Sequence, residues 1–210
     1  MELSEIFYSL QGESSYTGLP CVFVRLAGCN LRCTYCDTQY AYDLEFTLSV
    51  EGIIKEVEKY HPVKLVEITG GEPLLQNDSI ALMNKLIKKG YTVLLETNNS
   101  ISLKEVPKEI IKIVDFKTPS SGMSDKMLWD NIQYIQEKDE LKFVIADRKD
   151  FDWGLAIIKR YDLLKFSILF SPVFKKLESA ELAKWIFETK MPIRLNVQLH
   201  KLLWGDKRGA

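Results

Sequence analysis

Short runs of β-branched and other apolar residues alternate along this chain with longer stretches of helical period. The runs are Cys21–Leu26, Lys64–Thr69, Tyr91–Glu96, Lys112–Phe116, Glu140–Ile145, Lys165–Phe170 and Ile193–Val197. That alternation predicts parallel strands joined by crossover helices. Most of the runs are apolar almost throughout, the pattern of strands covered on both faces. Between them Val50, Ile53, Ile54 and Val57 recur at helical spacing, as do Ile80, Met83, Leu86 and Ile87, and later Leu182, Trp185 and Ile186, so these stripes are expected to face the core. No internal repeat, low-complexity tract or Pro/Gly/Ser linker marks a boundary, and residues 1–210 are expected to form one α/β domain.

The 28 basic and 29 acidic side chains nearly cancel, which removes the broad electrostatic footprint that attracts nucleic acid or an anionic membrane. A small-molecule partner is expected instead. Met1–Glu5 carries acids where a signal peptide would carry positive charge, and no apolar run reaches the roughly 18 residues of a membrane span. The cytoplasm is the expected location. Cys21 lies inside an apolar run and reads as a small buried hydrophobe.

In such architectures ligands collect beyond the carboxyl ends of the strands, so the chemistry should follow each strand. The stretch Gly28–Thr38 follows the first core strand and holds Cys29, Cys33 and Cys36 in a C-x3-C-x2-C spacing. In a reducing compartment this crowding reads as metal or redox chemistry rather than as a disulfide framework. A four-iron cluster normally takes four cysteine ligands, so three from one loop leave one iron open to a further ligand. The alternative is a zinc knuckle in a nucleic-acid module, which would want a fourth Cys or His close by; the two histidines, His61 and His200, are distant in sequence.

The loop resembles the C-x3-C-x-aromatic-C signature of radical S-adenosylmethionine enzymes, with Tyr35 in the aromatic place. The resemblance implies a 4Fe–4S cluster held by Cys29, Cys33 and Cys36, S-adenosylmethionine as cofactor, and a partial (β/α)6 barrel of the TIM-like kind with a reduced helical coat. Further segments resemble the cofactor-binding motifs of that superfamily. They are Gly70-Gly71-Glu72-Pro73 after the second strand, Glu96-Thr97-Asn98 after the third, Lys117-Thr118-Pro119 after the fourth and Ser171-Pro172-Val173-Phe174 late in the chain. Two adjacent glycines let backbone approach a ligand closely because neither carries a Cβ. Asn99 stands where the family more often has glycine.

Within the superfamily, Phe7–Glu13, Arg25, Cys36-Asp37-Thr38 and the tail Asn196–Lys201 are similar to the 7-carboxy-7-deazaguanine synthase family. That resemblance implies ring contraction of 6-carboxy-5,6,7,8-tetrahydropterin with loss of ammonia, Mg2+ bound at Thr38, a small electron donor such as flavodoxin or ferredoxin, and a homodimer. It also implies that Leu10, Gln11, Gly12, Glu13, Thr69, Gln198, His200 and the terminal carboxylate of Ala210 face the substrate. Glycyl-radical activating enzymes share the cysteine spacing and are the alternative within the superfamily. Arg25 interrupts an apolar strand, and a guanidinium there needs an anion, either the substrate carboxylate or an internal glutamate. Thr38 would offer Mg2+ one neutral oxygen, or else cap its own turn. His200 either lines the pocket or is an ordinary hydrogen-bonded histidine near the rim.

Overall fold

The computed structural model describes residues 1–205 and 207–209. These form a nine-stranded sheet in the order β3-β1-β2-β4-β5-β6-β7-β8-β9. The strands are β1 (Glu2–Leu10), β2 (Pro20–Leu26), β3 (Phe46–Thr47), β4 (Leu65–Gly70), β5 (Thr92–Thr97), β6 (Ile111–Asp115), β7 (Glu140–Ile145), β8 (Ser167–Pro172) and β9 (Ile193–Leu195). From β2 through β9 neighbouring strands run parallel, while β1 pairs antiparallel with both β2 and β3. The edges β3 and β9 do not pair with each other, so the barrel is incomplete, as expected. All seven predicted strands are present.

The helical coat is thin. Helices α1 (Val50–Glu58), α2 (Asp78–Lys88), α3 (Arg148–Arg160) and α4 (Ser179–Thr189) cover the outer face, and the short α5 (Leu199–Trp204) follows β9. Between β5 and β6 no helix forms, and between β6 and β7 only single 3-10 turns do. Ser49 caps α1 by accepting the Gly52 N–H at 3.1 Å, and Asp147 caps α3 by accepting from Lys149 and Asp150. Of the expected stripes, Ile53, Ile54, Val57, Met83, Leu86, Leu182 and Ile186 are buried, while Val50, Ile80, Ile87 and Trp185 are half-buried at the edge of the same core. Among the described residues no helix is long and apolar enough to cross a membrane.

The parallel strands are not apolar on both faces. Their outward residues, among them Val22, Val24, Val66, Ile68, Val93, Leu95, Val114, Phe143 and Phe170, build one large core beneath the helices. Their inward residues form two layers, because side chains two apart along a strand point the same way. The lower layer is an apolar plug of Cys21, Phe23, Leu65, Leu94 and Ile113. The next inward positions up the same strands are Arg25, Glu67, Glu96 and Asp115, and Lys142 joins them from β7. This charged layer is what the reading of doubly covered strands missed.

Strand β1 was also not foreseen. Its sequence, Glu2-Leu3-Ser4-Glu5-Ile6-Phe7-Tyr8-Ser9-Leu10, lacks clean alternation, and the register slips between Leu3 and Glu5. A bulge shifts which face each side chain takes and so blurs the period-2 signal. The strand matters for the site: it pairs Glu5 with Arg25 and stacks Phe7 on Phe23 at 4.8 Å between ring centroids.

Candidate active site

The loop that carries the three cysteines is docked at several points. Thr34 Oγ1 donates to Ser120 O at 2.6 Å, and the Thr34 N–H donates to Ser121 O at 3.0 Å. The Tyr35 hydroxyl lies 3.1 Å from Thr118 Oγ1, which itself donates to Val144 O at 2.9 Å. The aromatic residue of the motif therefore anchors the loop to β7 through Thr118. On the other side, the Gly71 N–H donates to Leu26 O and the Glu72 N–H to Gly28 O at 2.8 Å.

This crossing gives the double glycine a structural reason in addition to the close approach to a ligand expected of it. Gly70 has φ +141°, and a Cβ there would overlap the Leu26 backbone. A Cβ on Gly71 would overlap the backbone carbonyl of Gly28. The close approach is between the end of β4 and the cysteine loop; both glycines also line the cavity above.

That cavity has a volume of about 510 Å3 and opens at the carboxyl ends of the strands. Cys29, Cys33 and Cys36 all reach it from one side. Among the described residues no three His, Cys, Asp or Glu side chains converge on a point that would hold a single ion. Three thiols from one loop, which contains no fourth Cys and no His, suit three corners of a cubane better than the four-ligand set of a zinc knuckle. Burial raises the Cys29 and Cys33 thiols above the ordinary range, and the nearby Lys117 ammonium opposes it.

Most residues singled out in the sequence meet here. Leu10, Gln11, Gly12, Glu13, Arg25, Thr38, Thr69, Gly70, Gly71, Glu96, Asn98 and Lys117 line the cavity, as do Ser171, Pro172, Val173, Phe174, Gln198 and His200. Three expected cofactor residues, Glu72, Thr118 and Pro119, are not among the residues that line it. Glu72 is fully buried, and its carboxylate accepts from Leu74 N, Thr97 Oγ1 and Asn98 N at 2.7–3.0 Å. Thr118 supports Tyr35, and Pro119 opens the 3-10 turn on which the cysteine loop rests. Ala210 lies outside the described residues. Asn99 adopts φ +61°, the left-handed conformation that asparagine tolerates better than most residues, so it can stand where glycine is more usual.

Arg25 has found the internal glutamate: its Nε donates to Glu5 Oε1 at 2.8 Å while the guanidinium still borders the cavity. Thr38 Oγ1 donates to Asp37 Oδ1 at 3.1 Å and takes no part in capping the turn that follows. The tail reaches across the mouth. The Leu199 N–H donates to Gly12 O at 2.8 Å, Gln198 Nε2 to Glu13 Oε1 at 2.8 Å, and Lys201 Nζ lies 2.5 Å from Asp37 Oδ2. His200 packs so closely on Gly12 that a Cβ at residue 12 would collide with its ring. Burial holds its imidazole below the usual histidine range, so it is neutral at pH 7.

Glu67 and Lys142 were not singled out, although each carried the signal used for Arg25, a charge inside an otherwise apolar strand. Lys142 Nζ lies 2.5 Å from Glu13 Oε2 and 2.7 Å from Glu96 Oε1. Glu67 accepts from Gln11 Nε2. Burial, with Glu96 and Glu13 nearby, pushes the Glu67 carboxyl up to about 8, so it holds a proton at neutral pH.

Residues 24–120 match the Radical SAM superfamily. The chain is 42% identical over 219 residues to the 7-carboxy-7-deazaguanine synthase of Koribacter versatilis, with 97% of each chain covered. It is 41% identical to the enzyme of that name from Chlorobaculum tepidum, covering 100% of this chain and 97% of the relative. Against the Thermoplasma acidophilum enzyme of that name identity is 37% with both chains covered completely. The crystal structure of QueE from Escherichia coli shares the fold with a TM-score of 0.78 at 23% identity, covering 95% of this chain and 94% of that one. Streptococcus suis SuiB bound to S-adenosylmethionine shares it more distantly, with a TM-score of 0.56 at 12% identity over 80% of this chain and 48% of that one.

Proposed function

The chain belongs to the 7-carboxy-7-deazaguanine synthase family, and on that premise we propose how the residues around its cavity divide the work of the enzyme. The reaction is a lyase-type ring contraction of 6-carboxy-5,6,7,8-tetrahydropterin to 7-carboxy-7-deazaguanine with loss of ammonia, in queuosine and 7-deazapurine biosynthesis. Relatives of this name along the whole chain favour it over a glycyl-radical activase, and the Radical SAM match favours it over a zinc-bearing nucleic-acid module.

The observation that carries the assignment is one cavity with thiols on one wall and a charged layer at its floor. Cys29, Cys33 and Cys36 fit a 4Fe–4S cluster: three sulfur donors from one pinned loop on the cavity wall. When bound, the cluster and S-adenosylmethionine supply a reducing electron and a carbon-centred radical able to take hydrogen from the substrate. Gly70, Gly71, Asn98 and Lys117, with the Ser171–Phe174 stretch, would hold the cofactor beside the thiols; Glu96, expected on the cofactor but bonded to Thr69 on the pterin side, would stand between the two ligands, while Glu72, Thr118 and Pro119 fix the backbone that presents the cofactor. The residues around the cavity would orient the substrate and exclude water, because chemistry of that kind discriminates poorly between neighbouring C–H bonds.

Leu10 to Glu13, Arg25, Thr69, Gln198 and His200 would orient the pterin from the floor and the mouth. Arg25 would share its guanidinium between Glu5 and the substrate carboxylate. Thr38 would give Mg2+ a hydroxyl oxygen, with substrate and water taking the remaining positions. We further propose that residues 1–210 act as one domain, in the cytoplasm, as a homodimer reduced by a small flavodoxin- or ferredoxin-type donor; the thin helical coat leaves open flanks that a second copy would cover.

The test is anaerobic reconstitution with iron and sulfide, followed by incubation with S-adenosylmethionine, reductant and carboxytetrahydropterin. Formation of 7-carboxy-7-deazaguanine with one equivalent of ammonia is expected. A reconstituted protein that cleaves the cofactor yet leaves the pterin unchanged would sink the reading.

A further inference from the structure

Lys142 sits on β7 with its side chain 8% exposed, and its ammonium bridges two carboxylates that come from different parts of the fold. Glu13 arrives on the loop after β1. Glu96 arrives on β5, which is separated from β7 by β6. Each carboxylate is held at its second oxygen as well: Glu13 Oε1 accepts from Gln198 Nε2 at 2.8 Å, and Glu96 Oε2 accepts from Thr69 Oγ1 at 3.1 Å. The Glu13 N–H in turn donates to Gln11 Oε1 at 3.0 Å. The result is a pair of acceptors aimed into the cavity, fixed from both sides.

Two ionised carboxylates this close in a dry site would repel, and one would take up a proton unless a cation lay between them. We propose that Lys142 is a positioning residue for substrate binding, whose ammonium holds Glu13 and Glu96 side by side as a pair of acceptors for the N–H-rich edge of the pterin. This rests on the reading that the cavity floor receives the substrate.

The surroundings fit that role. The other charged groups facing Lys142 are Asp115 on β6, Glu67 on β4, and His200 and Asp37 toward the mouth. Asp115 is engaged by Lys117 at 2.5 Å, and Asp37 by Lys201. Glu67 and His200 are neutral at pH 7, so the charge of Lys142 is left to Glu13 and Glu96. Burial would raise Glu96, yet Lys142, aided by Lys117 and Thr69, holds it below the ordinary carboxylate range.

The experiment compares Lys142→Met and Lys142→Arg with the wild-type holoenzyme, anaerobically and across pH. For Lys142→Met we expect KM for carboxytetrahydropterin to rise about tenfold at pH 7 with a smaller change in kcat. The acid limb of kcat/KM should move up by about one pH unit or more. Binding of 7-carboxy-7-deazaguanine, measured by calorimetry without reductant, should weaken in parallel. Lys142→Arg should keep the acid limb in place. A folded, cluster-loaded Lys142→Met with an unmoved acid limb and unchanged product affinity overturns the proposal, as does a loss confined to kcat. Should neither variant fold, a 13C NMR titration of the wild-type glutamate carboxyls decides: Glu96 titrating below the ordinary range is expected, and above it overturns the idea. Failure of the wild type to form product would instead strike the functional reading itself.

Discussion

Arg25 donates its Nε–H to Glu5 at 2.8 Å across the antiparallel pair of β1 and β2, where the two residues are direct register partners. The Tyr40 hydroxyl donates to the same Glu5 oxygen at 3.0 Å, and Arg208 approaches the other at 3.3 Å. The guanidinium is thus already oriented before any substrate carboxylate arrives. Losing it would leave Glu5 with weaker partners in a mostly buried position, at a cost of roughly 1–3 kcal/mol. Arg25→Ala is expected to lower the unfolding free energy by that amount and to raise KM for carboxytetrahydropterin more than it lowers kcat. Chemical denaturation and steady-state kinetics, read together, separate the two effects; an unaltered KM would remove Arg25 from the substrate site.

Each of Cys29→Ala, Cys33→Ala and Cys36→Ala should abolish turnover, since a loop with three donors has none to spare. Iron and sulfide content after anaerobic reconstitution, together with the EPR signal of the reduced protein, should fall with activity. Near-normal product formation by any one of the three variants would contradict the cluster assignment.

Gly70 and Gly71 are required by the crossing backbone whether or not a ligand is bound. Gly70→Ala forces a side chain into a region of φ open mainly to glycine, at about 1–3 kcal/mol before any clash is counted. Gly71→Ala pushes on the Gly28 carbonyl, which belongs to the cysteine loop. Both variants should lose stability in the protein without cluster or cofactor, as measured by urea denaturation of the apoprotein. If only cofactor binding changes, the crossing of β4 and the cysteine loop is not what selects these glycines.

Glu67 carries a pH signature. Its carboxyl is raised in the folded protein from an ordinary 4.5 to about 8, so between those values the folded state holds a proton that the unfolded chain has released. Stability therefore falls as pH rises through that window, with a limiting slope of about 1.4 kcal/mol per pH unit from this group. Glu67→Gln keeps an oxygen able to accept from Gln11 Nε2 and has no proton to lose. Its stability curve should be flatter from pH 5 to 8 and lie above the wild type at pH 8; a parallel pair of curves would show that Glu67 ionises normally.

Outside the cavity lining, Lys112 Nζ and Asp139 Oδ2 form a buried pair at 2.7 Å, and Asp139 also accepts the Lys112 and Gln136 backbone N–H groups. Asp139→Ala strands an ammonium and two amides, and should cost about 3–5 kcal/mol. KM of the surviving folded fraction should stay at the wild-type value. A change in KM without loss of stability would mean the two ends of the strands are coupled.

The tally of what could be read in advance is uneven for physical reasons. Strands such as Val22–Leu26 and Leu65–Thr69 and the stripe Ile53, Ile54, Val57 declare themselves, because burial under helices selects apolar side chains at fixed periods. The cysteine loop declares itself too, since its three donors lie within eight consecutive positions. Contacts across the sheet do not. The pairing of Arg25 with Glu5 depends on β1 folding back antiparallel through a bulge, and the bridge from Lys142 to Glu13 and Glu96 joins residues 129 and 46 positions apart. Glu72 matched a cofactor motif in the sequence yet turns its carboxylate into the backbone of the next strand.

Local order in the chain thus determined the seven parallel strands β2 and β4 to β9, the thiol triplet and the family to which they point, because each depends on residues close together in sequence. Which charges share the barrel floor, which carboxyl keeps its proton and which glycines yield to a crossing backbone were decided only by the tertiary fold. Those properties depend on distance and burial between segments far apart along the chain, and no period in the sequence encodes them.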